Sequence, residues 1–404
     1  MRGWAAMIVV ITHFLCAFRP SSIFGGPETS GLDALLHYPP FSLLIASHAA
    51  VMFFFVLSAF VLSWRFIGEP PRMDRLIGCM VKRPLRLGAL VVLTMVVASF
   101  LFEADLLFNV TYAERHGLAA HQFFASFWRA DLSLPTLFLR DILTPFASGR
   151  HYNGPLWTIE YELYGSWLVY GVLFIRTAGW RCLVYAGALV LFRGSLYQGF
   201  IFGILLADVT KYFYRHPWSI PSAWRSGGGA LLLVLSVVML SYSQGAATPR
   251  AVKAFYAPWP SIPLVGGGYA MLGSVVLLSG LLMSPRFPYW LNDAVSRWLG
   301  RVSYSLYAGH WLVMGSLGAG SLLVLERWLP FGAAIILTLG ITLGAIVVMA
   351  EALTRWVDDP VVALASRIES RVAQAVRRGQ HAWWPVTSSS ARAGNPESAG
   401  QKIV

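Results

Sequence analysis

Charge is scarce in this chain. Of its 404 residues only 12% are Asp, Glu, Lys or Arg, while 56% are hydrophobic and the mean hydropathy is +0.60. A soluble domain carries about twice that charged share, so the length is spent on membrane spans rather than on several water-soluble domains. Acids are scarcer still, 19 against 31 Lys and Arg, for a net charge of +12. In a soluble protein that excess would suggest a nucleic-acid partner. In a chain this apolar it marks basic residues retained in cytoplasmic loops, and no nucleic acid is expected. Cysteine is limited to Cys16, Cys79 and Cys182, scattered and odd in number. There is no C-x-x-C or zinc spacing, so they read as apolar fillers and no metal is expected. No small-residue cleavage site follows the first apolar run, which is therefore read as a retained span. Nor is there an internal repeat of the kind that builds many transporters.

What is present is a series of ten apolar runs: 4–18, 41–66, 84–102, 156–176, 180–192, 196–213, 229–243, 263–283, 303–325 and 333–356. They predict an all-α, polytopic membrane helix bundle of about ten spans, although 180–192 and 229–243 are short for a span of about 20 residues. Basic residues cluster after the second run (Arg65, Arg72, Arg75, Lys82, Arg83, Arg86), after the eighth (Arg286, Arg297, Arg301) and in the tail. That parity puts both termini in the cytoplasm. Residues 1–360 then form the membrane domain. Residues 361–404 form a cytoplasmic tail that starts as a basic amphipathic stretch and ends as disordered chain. The long segment 103–155, broken by Pro135 and Pro145, lies along the membrane surface or folds back over a cavity.

Several polar residues interrupt the apolar runs. Arg2 and His13 are eleven positions apart, which puts them on one helix face about 16 Å apart along the axis. An ionisable group at mid-depth is a functional candidate by default, the alternative being a histidine that only packs two spans together. Lys82, Arg83 and Arg86 flank Pro84, which suits a helix's first turn, so the cluster reads as an anion site at a helix N-terminus or as a plain topology signal. Glu160 and Glu162 lie about 200° apart around one helix, so at most one faces any single cavity. Trp157, Tyr161 and Tyr164 share a face and are either a site wall or an interfacial belt. Tyr307 and His310 are one turn apart in the ninth run, with Tyr304 one turn before them.

Taken in order, these stretches resemble the acyltransferase family 3 membrane proteins, which O-acylate carbohydrates. Arg2 and His13 match the family's leading R-x10-H. Phe54-Phe55-Val56-Leu57-Ser58-Ala59-Phe60 is similar to its F-F-V-L-S-G-F, with Ala59 in place of the usual Gly. Lys82-Arg83-x-x-Arg86 resembles R-R-x-x-R. Pro155-Leu156-Trp157-Thr158 with Glu162 resembles P-L-W-S/T-L-x-x-E, and Ser303-Tyr304-Ser305-Leu306-Tyr307 with His310 resembles S-Y-x-x-Y-x-x-H. Glu160 stands where the family has a neutral residue, so Glu162 inherits the acidic role.

The resemblance implies an integral membrane acyltransferase, of the class that transfers groups other than amino-acyl groups. The donor would be cytoplasmic acyl-CoA, acetyl-CoA first, and the acceptor a hydroxyl of a glycan or glycolipid, in a bacterial inner membrane among its lipids. Lys82, Arg83, Arg86 and Arg2 would hold the donor's phosphates. His13 would act as base or acyl carrier, with Arg2, Glu162 and His310 as further catalytic groups. Trp157, Tyr304 and Tyr307 would contact substrate. A transporter or flippase for a lipid-linked or small solute carries intramembrane His, Glu and Arg too and is the rival reading.

Overall fold

The computed structural model describes residues 1–26, 31–68, 72–118, 123–175, 177–215, 222–284 and 292–383, and every regular element among them is helical. The helices are α1 (Arg2–Phe18), α2 (Ser47–Trp64), α3 (Met73–Glu103), α4 (Asn109–Arg115), α5 (Leu134–Leu139), α6 (Pro145–Tyr152), α7 (Trp157–Leu173), α8 (Ala178–Leu191), α9 (Gln198–Arg215), α10 (Ser222–Leu240), α11 (Arg250–Tyr256), α12 (Gly268–Met283), α13 (Ala294–Val313), α14 (Ala319–Leu325), α15 (Phe331–Leu353) and α16 (Asp359–Trp383). Each of the ten apolar runs contains a helix among the described residues. Four stretches are long and apolar enough to cross a membrane: Ser47–Trp64, Met73–Glu103, Ala294–Leu325 and Phe331–Arg378. Arg2–Phe18, Gly179–Leu191, Arg225–Leu240 and Gly268–Met283 are shorter apolar helices.

Three boundaries differ from the sequence reading. Helix α3 begins at Met73, so Pro84 lies inside it and not in its first turn. The anion site expected at a helix N-terminus around Lys82, Arg83 and Arg86 is therefore absent, and the three cations project from a helix body. The second concerns the tail, whose basic amphipathic start forms α16, continuous with the helix of the last apolar run and packed on the start of α3. Lys82 Nζ donates to Glu369 Oε2 at 2.7 Å and Arg377 to Asp74 Oδ2 at 2.6 Å. The amphipathic period of this stretch finds a helix to bury against. The disorder expected for 388–404 falls outside the described residues. Third, α13 starts at Ala294, nine residues before the apolar run. Asp293 caps it by accepting from the Ser296 backbone N–H at 2.9 Å and hydroxyl at 2.6 Å, and those bonds hold the Asp293 carboxyl below the usual carboxylate range.

The segment 103–155 folds back into the bundle. Asn109 Nδ2 donates to the carbonyls of Phe124 and Phe127 at 3.1 and 2.9 Å, closing a loop beneath α4. Trp128 Nε1 donates to Tyr152 O at 2.7 Å and Asn153 Nδ2 to Ala308 O at 2.5 Å, in the middle of α13. Tyr152 and Asn153 are fully buried. These bonds carry the entry to α7 well inside the bundle, which sets the depth of Glu162.

The small residue at position 59 also has a structural meaning. Helix α9 crosses α2 at Gly203, where a Cβ would lie 2.4 Å from Val56 O and 2.6 Å from Ala59 Cβ. The missing methyl is on α9, which leaves space for the extra one on α2. Gly203→Ala is expected to destabilise the bundle by about 1–3 kcal/mol through overpacking. Gly227→Ala, in open space, should be neutral or slightly stabilising. Thermal unfolding in detergent checks both.

Candidate active site

Helices α1 and α13 touch closely enough that a Cβ on Gly3 would lie 2.4 Å from the Leu299 carbonyl carbon. Trp4 Nε1 donates to Ser296 Oγ at 2.9 Å and fixes the same crossing. The contact brings Arg2 into a cavity of about 100 Å³ together with Arg83, Arg86, Glu162, Tyr304, Tyr307 and Asp358. Five groups named from sequence as candidates thus meet Arg2 in one place. Glu162 stands among the arginines. Glu160 does not line the cavity, as the angular argument required.

The charges in this cavity are unevenly paired. Arg83 is 5% exposed. It donates to Glu162 Oε1 at 3.1 Å, to Ser58 Oγ at 3.3 Å and through Nε to Ser166 Oγ at 2.9 Å. Arg301 is bound by Glu351 of α15. Arg2 and Arg86 have no hydrogen-bonded partner among the described residues, and Arg86 Nε is buried. Two cations without partners beside a satisfied ion pair leave the cavity with donors that an anion would satisfy, since a buried donor left alone costs about 1–3 kcal/mol. Lys82 is not part of it. On α3 it lies 100° from Arg83 and faces α16. Trp157 is also elsewhere, edge-on to Tyr161 with ring centroids 5.7 Å apart, in an aromatic stack with Tyr197.

At its inner end the cavity stops at Tyr307 and Phe54, whose rings meet edge-to-face at 6.1 Å. The Tyr307 hydroxyl donates to Pro155 O at 3.0 Å and lies 2.8 Å from Thr158 Oγ1. Its ring centroid is 5.8 Å from that of His310. Beyond this partition His13 Nδ1 and His310 Nε2 are 2.9 Å apart, and His310 Nδ1 is 2.8 Å from Tyr307 O. A carbonyl only accepts, so His310 Nδ1 carries a proton. With one proton on each ring the wiring is then unique. His310 Nε2 accepts, His13 Nδ1 donates, and His13 Nε2 keeps a lone pair with no hydrogen-bonded partner among the described residues. Phe123 and Trp311 flank the His13 ring at 5.6 and 5.2 Å. An imidazole held this way can take a proton from an incoming hydroxyl.

The sequence reading missed Asp358, Ser58 as a polar ligand of the ion pair, and Trp311 against His13. Asp358 had one available signal: it is an acid two residues past the last apolar run.

A family model described as an acyltransferase domain matches residues 1–350. The chain belongs to acyltransferase family 3. No curated protein and no solved structure matches it. The match spans every motif from Arg2 to His310 and ends before Asp358. With its family and its membrane-length helices, the chain is a membrane acyltransferase.

The pairing pattern makes a stability prediction. Arg83→Met strands Glu162 and should cost about 3–5 kcal/mol or prevent folding. Lys82→Met breaks a more accessible pair and should cost about 1 kcal/mol or less. Denaturation midpoints of the two variants, measured in parallel, check the order.

Proposed function

We propose that this chain transfers an acyl group, acetyl first, from acyl-CoA to a carbohydrate hydroxyl, with His13 as general base. The observation that carries the reading is the wired pair His13–His310, with the lone pair of His13 Nε2 unused, one tyrosine away from a cavity holding unpaired Arg2 and Arg86. The basic end of the bundle faces the cytoplasm of a bacterial inner membrane and both termini lie there. The donor enters from that side. Arg2 and Arg86 take its phosphates, and its arm extends past Tyr307 toward the histidines. The acceptor, a surface glycan or glycolipid, approaches from the opposite end, where Phe123 is exposed.

In the transfer step the acceptor oxygen attacks the thioester carbonyl while His13 Nε2 takes its proton. The tetrahedral intermediate then expels the thiolate, and His13 returns the proton to sulfur. His310 holds the donating nitrogen of His13 in place and bears part of the positive charge that develops on the ring. Direct attack of His13 Nε2 on the thioester, forming an acyl-imidazole that the hydroxyl then resolves, uses the same wiring.

Protein in lipid nanodiscs with radiolabelled acetyl-CoA and a panel of carbohydrates tests this. The wild type should place label on a carbohydrate as an alkali-labile ester. His13→Ala should lower the rate by about 10²-fold or more while still binding acetyl-CoA. His310→Ala should lower it by about ten- to a hundredfold, the range for a partner that orients a working histidine. An unchanged rate in folded His13→Ala overturns the reading.

A further inference from the structure

Arg86 and Asp358 both line the arginine cavity, and each has a buried polar atom without a partner among the described residues, Arg86 Nε and Asp358 Oδ1. The two are of opposite sense, one donor and one acceptor. Asp358 is 6% exposed. It closes a π-helical turn, Thr354–Asp358, between α15 and α16. Such turns are frequent at functional sites. The turn is fixed against α13, because the Thr354 hydroxyl donates to Ser305 Oγ at 2.8 Å and both residues are fully buried.

The bland role for a carboxylate among arginines is to neutralise one of them. Among the described residues no ion pair within 4 Å does that here. Arg83 is taken by Glu162, and Arg301 by Glu351 with Asp359 nearby at 3.7 Å. Arg86 is the remaining neighbour and acts on Asp358 only through its charge, since its Nε and Asp358 Oδ1 are both unbonded. The cavity therefore offers a cationic surface for an anion and, separately, an acceptor that needs a proton donor. A bare anion satisfies only the first. A ligand that carries a phosphate and, further along, a hydroxyl or amide N–H satisfies both.

We propose that Asp358 binds the donor's arm, accepting a hydrogen bond from a hydroxyl or amide N–H of a phosphorylated pantetheine whose phosphates lie on Arg2 and Arg86. This rests on the acyl-CoA reading above. It makes Asp358, a residue beyond the family match, the group that separates the donor from other anions of similar charge.

The test measures the dissociation constants of acetyl-CoA and inorganic pyrophosphate for the full chain in nanodiscs, wild type against Asp358→Ala. Loss of a hydrogen bond to a charged group should weaken acetyl-CoA by about ten- to a hundredfold. Pyrophosphate should bind as well or better, because a nearby negative charge is gone. Asp358→Asn, of the same shape, keeps an acceptor oxygen and should fall between the two for acetyl-CoA. Equal loss of both ligands in both variants overturns the proposal in favour of a structural role. Unchanged acetyl-CoA binding in Asp358→Ala overturns it as well and leaves the donor reading standing. A wild type that binds pyrophosphate but not acetyl-CoA removes the donor reading and this proposal together.

Discussion

The hydrogen bond between His13 and His310 is the constraint on which the rest of the structure turns. It joins the first and ninth apolar runs, 297 residues apart in the chain, at 2.9 Å. Such a bond inside a bundle needs two backbones in register and nearly in contact. Gly3 against Leu299 provides the contact, and the Asp293 cap with the Trp4–Ser296 bond fixes the register. The same crossing then brings Arg2 to the cavity at the other end of α1. The histidine pair and the anion cavity are two ends of one helix–helix interface, so neither can shift without the other.

The second organising feature is the way charge is paired in an apolar surrounding. An ion taken out of water is tolerated only with partners, and the described residues obey this almost everywhere. Arg83 has Glu162 and two serines, Arg301 has Glu351, and Arg181 has Asp208 at 2.8 Å. Arg2, Arg86 and Asp358 stand outside the pattern, and all three line one cavity. Glu160 has no hydrogen-bonded partner among the described residues either but lies outside the cavity, so the three exceptions that share one place are the ones a ligand would explain.

Much of this was legible in the sequence, and what was not has physical causes. The ten apolar runs placed ten helices because burial in lipid leaves few other ways to satisfy a backbone. The shared face of Arg2 and His13, and the opposed faces of Glu160 and Glu162, followed from helix geometry alone. Failures came where tertiary contact decides. Pro84 looked like a helix start, but packing against α16 extends α3 eleven residues before it. Lys82 looked equivalent to Arg83, yet 100° of rotation gives it to Glu369 instead of the cavity. Trp157 went to an aromatic stack because its face of α7 meets Tyr197. The face that Asp358 turns to could not be read, because a π-helical turn breaks the 3.6-residue period. The bond between the two histidines could not be inferred at all, since nothing in a single sequence says which spans are neighbours.

Nitrogen-15 NMR of histidine-labelled protein tests the central claim most directly. A His13→Gln difference spectrum picks the His13 signals out from the nine histidines of the chain. The account expects His13 at neutral pH to carry its proton on Nδ1, with Nε2 unprotonated and free. Finding the proton on Nε2 would contradict it, because His13 could then neither donate to His310 nor accept a proton from a substrate hydroxyl.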